Sequence, residues 1–176
     1  GAQAREILLR QSERLIPRRK AQKFAHLCYR VGLFQSALKT LAPIVRPKVA
    51  QSQPASALEK ATYAISVVKI GSVDEGLAIL NAIAEPIPEV ALFSAFAHQA
   101  KWDYAAAVPH LEKYLSAGGP TEYERTVAQV NLLAARIVSG HLQAADLLCT
   151  EIFAAAKKNC WTLLYKNCQE LSAQVQ

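Results

Sequence analysis

Four stretches of ten residues fall into register when the chain is aligned with itself: GLFQSALKTL (32–41), GSVDEGLAIL (71–80), WDYAAAVPHL (102–111) and GHLQAADLLC (140–149). The third position is Phe34, Val73, Tyr104 or Leu142, and the tenth is Leu41, Leu80, Leu111 or Cys149. The sixth is always small: Ala37, Gly76, Ala107, Ala145. Seven residues upstream of each copy stand Ala25, Ala64, Ala95 and Leu133, and eight upstream Phe24, Tyr63, Ser94 and Leu132. The copies lie 39, 31 and 38 residues apart. A unit of this length cannot bury its own apolar face, so it must stack on its neighbours. Each unit reads as a helix, a turn centred on glycine, and a second helix. The small sixth residue suits two closely crossing helices, because a bulky side chain there would hold the backbones apart.

Local signals agree. Ser72 with Glu75 and Thr121 with Glu124 have the spacing of capping boxes at helix starts. The stretches QSQPAS, EPIPE and AGGPTEYE carry turn chemistry and fall between units. Pro43 and Pro109 are expected to shorten or kink their helices. The periodicity predicts helices near 3–16, 19–31, 34–46, 55–70, 74–84, 88–100, 103–117, 121–139, 142–156 and 159–174, with no strand period. Hydrophobic residues make up 52% of the 176, which excludes global disorder. The apolar runs are too short for a membrane span, and the charged start lacks a signal-peptide layout, so a cytoplasmic location is expected. The chain contains no methionine, which leads us to expect a larger parent protein.

The run Gly32, Phe34, Ala37, Leu41 resembles the tetratricopeptide (TPR) repeat, with its turn glycine, following aromatic, alanine and later Leu or aromatic. The resemblance covers roughly residues 20–155. It departs from the family where Ala21, Lys60, Ala91 and Gln129 replace an early aromatic, and at Trp102, Pro109 and Arg136. It implies an all-α fold, a right-handed array of about four helix-turn-helix hairpins with N- and C-terminal capping helices. The organisation expected is a basic amphipathic helix over 1–18, repeats over 19–156 (19–50, 55–86, 88–118, 121–156) and a capping helix over 157–176. In that last segment Trp161, Leu164, Tyr165, Cys168 and Leu171 form one helical stripe.

Chemistry-bearing patterns are scarce. No nucleophile elbow, phosphate-binding loop or dinucleotide fingerprint occurs, so no enzyme activity and no cofactor are expected. Cys28, Cys149, Cys160 and Cys168 form no C-x-x-C pair and read as reduced thiols. His26, His98, His110 and His141 are isolated from one another, so no metal site is expected. Asp74 and Glu75 open a helix, where they complement its dipole.

The resemblance further implies a concave surface lined by first helices. Offsets from each turn residue place Arg19, Lys23, His26, Tyr29 and Arg30 there from the first unit, and Ile65, Val68 and Lys69 from the second. Leu92, Phe93, Phe96 and Gln99 follow from the third and Asn131 from the fourth. The trough is largely apolar with a cationic end, and it suits an apolar or amphipathic segment of a partner protein. The expected function is a non-catalytic protein–protein interaction module: a scaffold, adaptor or chaperone. Its basic end would meet acidic groups. Equally open is a self-associating module whose trough is filled by its own helices or by a second copy, making a homo-oligomer. The net charge of +6 is concentrated at the N-terminus, where residues 1–50 carry 11 Lys/Arg against Glu6 and Glu13. The stretch IPRRKAQK, with Arg10 and Arg14, offers contact to nucleic acid or an anionic membrane as a third class. The absence of stacking aromatics or a recognisable module argues against it.

Overall fold

The computed structural model describes residues 2–12, 16–48 and 53–173, and every regular element among them is an α-helix. In order these are α1 (Ala2–Ser12), α2 (Arg18–Arg30), α3 (Phe34–Val45), α4 (Ala57–Lys69), α5 (Val73–Asn81), α6 (Pro88–Ala100), α7 (Tyr104–Ser116), α8 (Glu122–Val138), α9 (Leu142–Lys158) and α10 (Thr162–Ser172). The expected extension of α1 to residue 16 crosses positions 13–15, which lie outside the described residues. The chain divides into two compact units, Gly1–Phe93 and Ser94–Gln176, with α6 beginning in the first and continuing into the second.

Five of the turns close with the same hydrogen bonds. Each contains one residue in the left-handed region: Gly32 (φ 78°), Gly71 (105°), Trp102 (61°), Gly140 (79°) and Cys160 (55°). The next residue's N–H reaches back over the turn, Leu33 to the Cys28 carbonyl at 2.8 Å, Ser72 to Val67 at 3.2 Å and Asp103 to His98 at 3.0 Å. His141 to Arg136 at 2.8 Å and Trp161 to Ala156 at 2.9 Å complete the set. This is the Schellman closure of a helix C-terminus. The residue making the long bond then serves as N-cap of the following helix, so one helix ends and the next begins with no further linker. A Cβ added at Gly32, Gly71 or Gly140 would meet nothing within 4 Å. Glycine is there for its backbone freedom rather than for space. The turn at Cys160, between α9 and α10, lies outside the four aligned stretches, and its residue type hides it.

Burial follows the aligned columns. Ala25, Ala64, Ala95 and Leu133 have no exposed surface, nor do Ala37, Ala107 and Ala145 at the sixth position. Gly76 shows why that position is small. A Cβ there would overlap Val68 Cγ2 and stand 2.9 Å from the Ala64 carbonyl oxygen, so α5 lies directly against the α4 backbone. The tenth residues Leu41, Leu80, Leu111 and Cys149 are all buried.

In the first unit α2 packs on α3, α3 on α4, α4 on α5, and α2 also reaches α4. Its core gathers Ala21, Ala25, Cys28, Leu33, Leu41, Ile44, Tyr63 and Val67. From Ala61 to Val68 every residue of α4 is buried, including Thr62 and Ser66. The Ser66 hydroxyl donates to the Thr62 carbonyl at 2.8 Å, the usual way for a helical serine to satisfy itself away from water. Ser72 makes no side-chain cap, contrary to the expected box; its N–H goes to the Val67 carbonyl, and the Glu75 carboxylate pairs with Arg46. Arg46 also lies 5.4 Å over the Tyr63 ring. The S-x-x-E pattern that does close is Ser56–Glu59, at the start of α4.

In the second unit α7 packs on α8, α8 on α9, and α10 on both α9 and α8. The expected Thr121–Glu124 box is present. Arg136 donates to the Ala144 carbonyl at 3.2 Å and to Glu112 at 2.9 Å, joining α7, α8 and α9. Asn159 donates to Glu122 at 3.1 Å, and the Tyr123 and Trp161 rings meet edge-on at 5.3 Å, so the α9–α10 turn sits against the start of α8. The stripe on α10 faces inward through Leu164 and Cys168. Pro43 and Pro109 lie inside α3 and α7 without ending them; the helices continue to Val45 and Ser116.

Candidate partner-binding surface

The sequence of α2, RRKAQKFAHLCYR, contains no acidic residue and sorts onto two faces. Ala21, Ala25 and Cys28, spaced by four and three, enter the core. On the other face Arg19, Lys23, Leu27 and Arg30 are exposed at steps of four, four and three, with Lys20 beside them. Among the described residues no ion pair neutralises Arg19, Lys20, Lys23 or Arg30. The result is an uncompensated cationic stripe with one exposed leucine inside it.

Arg18 does not belong to that stripe. Its guanidinium grips the buried Glu59 carboxylate through both nitrogens, the Nη2–Oε2 bond being 2.9 Å and the Nη1–Oε1 contact closer. The same carboxylate accepts the Ser56 N–H at 2.8 Å and the Ser56 hydroxyl at 3.0 Å. Burial pushes the Glu59 carboxyl up. The hydrogen bonds from Arg18 and Ser56, with the Arg18 charge, outweigh burial and hold it below the ordinary glutamate range. One cation of the IPRRKAQK run is therefore half-buried and already paired.

Next to the stripe the surface turns aromatic. Tyr29, half-buried, lies 5.5 Å edge-on from Phe93, 6.0 Å from Phe34 and 6.4 Å from His26. Burial pushes its hydroxyl up to about 12. Phe93 is buried, and so are Ile65 and Val68. These three expected trough residues are packed within the fold. Lys69 is exposed and Leu92 half-buried. The first unit therefore joins Arg19, Lys23 and Arg30 on one accessible helix face, with His26 and Tyr29 along its edge, and withdraws the apolar positions of α4.

In the second unit Phe96, Gln99 and Asn131 are half-buried. The Gln99 side-chain amide donates to the Asn131 carbonyl at 3.3 Å, and the Asn131 amide to the Val127 carbonyl at 2.8 Å. Both amides thus bond to helix backbone. The His98 and His110 rings stack at 5.3 Å, and burial, then the His98 and Lys113 charges, push His110 down. Leu27 was outside the residues singled out from the sequence, and Lys20 entered only within the stretch IPRRKAQK. The signal for Leu27 is an apolar residue four positions from Lys23 and three from Arg30 on a helix whose other face is already apolar.

Among the described residues no group of three or more His, Cys, Asp and Glu side chains could hold a metal ion, and no helix is long and apolar enough to cross a membrane. The chain matches no protein-family model, no curated protein and no solved structure.

Proposed function

We propose that the chain is a diverged TPR-like right-handed array of helical hairpins, a non-catalytic module that binds an acidic amphipathic segment of a partner protein along α2. The carrying observation is the uncompensated stripe Arg19, Lys23, Leu27, Arg30 on an otherwise core-facing helix. An acidic helix with one apolar ridge complements it: the carboxylates meet the cations, and the apolar ridge covers Leu27. Apolar burial contributes most of such affinity, and charge sets orientation and association rate. The array reading draws support from the recurring turn, the tight α4–α5 crossing at Gly76, and the packing of α2 on α4 and of α8 on α10.

The test is titration with a labelled amphipathic peptide carrying a Glu stripe and a Leu ridge, against the same peptide with Lys for Glu. The reading expects binding of the acidic peptide alone. Affinity should fall at least tenfold in Lys23→Glu/Arg30→Glu and weaken with salt. Equal binding by the double variant, or tighter binding of an oligonucleotide, refutes it.

Self-association is a second reading, favoured by exposed Val138, Leu142, Leu147, Leu163 and Tyr165 in the second unit. Light scattering that shows a dimer, converted to monomer by Leu147→Glu/Leu163→Glu, would select it.

A further inference from the structure

Three of the four cysteines are buried and all four are free. Cys149 on α9 and Cys168 on α10 stand apart from the rest because their Sγ atoms are 3.2 Å from each other. The Cys168 Sγ also lies 3.7 Å from the Cys149 carbonyl oxygen. A disulfide requires the sulfurs to approach to about 2.05 Å, a closure of roughly 1 Å that side-chain torsions and a slight helix shift provide. Cys28 lies in the core of the first unit, and Cys160 is exposed at the α9–α10 turn.

We propose that Cys149 and Cys168 are a reversible dithiol–disulfide site that fastens α10 to α9 when a small-molecule disulfide such as glutathione disulfide is present. The first step is attack by the Cys168 thiolate on one sulfur of glutathione disulfide, forming a mixed disulfide and releasing one glutathione thiolate. The Cys149 thiolate then attacks the Cys168 sulfur, forming the intramolecular bond and releasing the second glutathione. Two electrons pass to glutathione disulfide, and the two protons leave with the two glutathione thiols. Reduced glutathione in excess reverses both steps.

Access comes from the limited burial of α10, in which only Leu164 and Cys168 are fully buried, beside its packing on α8 and α9 and the ring contacts of Trp161 with Tyr123 and of Tyr165 with Phe153. A helix with so few fully buried residues opens locally more often than the unit unfolds. Burial pushes the Cys168 thiol up to about 12, so the closed state is inert and exchange proceeds through the opened one. Once formed, the bond closes a loop of about 20 residues and opposes that opening.

The experiment equilibrates the intact chain in glutathione buffers over a wide range of disulfide-to-thiol ratio. Samples are then acid-quenched, alkylated under denaturing conditions and analysed by peptide mass spectrometry. The expected product is lighter by two hydrogens, with the Cys149 and Cys168 peptides joined and Cys28 still alkylated. In the oxidised protein, α10 amide exchange should slow by roughly ten- to a hundredfold. Cys149→Ala/Cys168→Ala, which has no thiol pair to oxidise, should exchange at a rate that oxidation leaves unchanged. If Cys149 and Cys168 remain alkylatable at the highest disulfide ratio, or if Cys160 rather than its neighbours is cross-linked, the proposal is overturned.

Discussion

Replacing Gly76 by alanine sets two effects against each other, and the structure says which one wins. In a helix interior alanine is more favourable than glycine by about 1 kcal/mol. Against that, the new Cβ would occupy the space of Val68 Cγ2 and press to 2.9 Å from the Ala64 carbonyl oxygen. Valine in a helix is nearly confined to one χ1 rotamer, Val68 is buried, and a backbone oxygen moves only if α4 moves. Overpacking of this kind costs about 1–3 kcal/mol. With the propensity gain subtracted, we expect a net loss of about 1 kcal/mol, roughly a fivefold shift in the folding equilibrium. Equilibrium urea unfolding followed by circular dichroism measures it, with the slope unchanged and the midpoint lowered. Val68→Ala removes the overlapping methyl, so Gly76→Ala/Val68→Ala should lose less than the two single variants combined. A Gly76→Ala protein more stable than wild type by the full 1 kcal/mol would show that α5 does not lie against the α4 backbone.

Gly140→Ala tests the turn without any steric contribution, because nothing lies near the added methyl. The positive φ alone should lower stability by about 1 kcal/mol in the same urea assay. The reciprocal change, Trp102→Gly, relieves a bulky residue held at φ 61° that is 81% exposed. The relief exceeds the chain entropy of glycine by about 0.5 kcal/mol, raising Tm by 1–2 °C in calorimetry. Glu59→Gln keeps a capping residue but leaves Arg18 without its charge partner, and should lower stability by about 2 kcal/mol at pH 7. Since the folded-state carboxyl titrates below its unfolded value, this contribution is complete above the ordinary glutamate pKa. It is lost as pH falls through the folded-state value. In urea unfolding the difference between the two proteins should shrink as pH falls below the ordinary glutamate range, and a constant difference would refute the assignment.

Much of the fold was legible because its signals are local. Gly32, Gly71 and Gly140 announce left-handed turns, and the alternation of small and apolar positions around them gave ten helices in the right order. The turn at Cys160 was not legible, since nothing in a cysteine marks a positive φ. The capping pattern at Ser56–Glu59 was present in the sequence, but it stood beside Pro54 in a stretch that reads as linker. Ser72–Glu75 had the same spacing and does not close: the turn takes the Ser72 N–H, and Arg46, distant in the sequence, pairs with the carboxylate. The candidate surface divided along the same line. Arg19, Lys23 and Arg30 are exposed as a helical wheel of α2 requires. Ile65, Val68 and Phe93 depend on what covers them, and contacts such as Tyr29 on Phe93 join residues too far apart in sequence for any local pattern to reveal.

The Glu59 carboxylate joins the first turn of α4 to the first turn of α2, while α3 packs on both helices. The register of α4 is thereby tied to α2 by an ion pair that spans the α3–α4 connection, beside the contacts that Arg46 and Ser56 make with α4 from its two ends. Closing a loop twice as long costs only about 0.6 kcal/mol. That connection is the natural insertion point of the first unit, a place where a tag, a reporter or an additional binding segment can be spliced in while the helices keep their alignment.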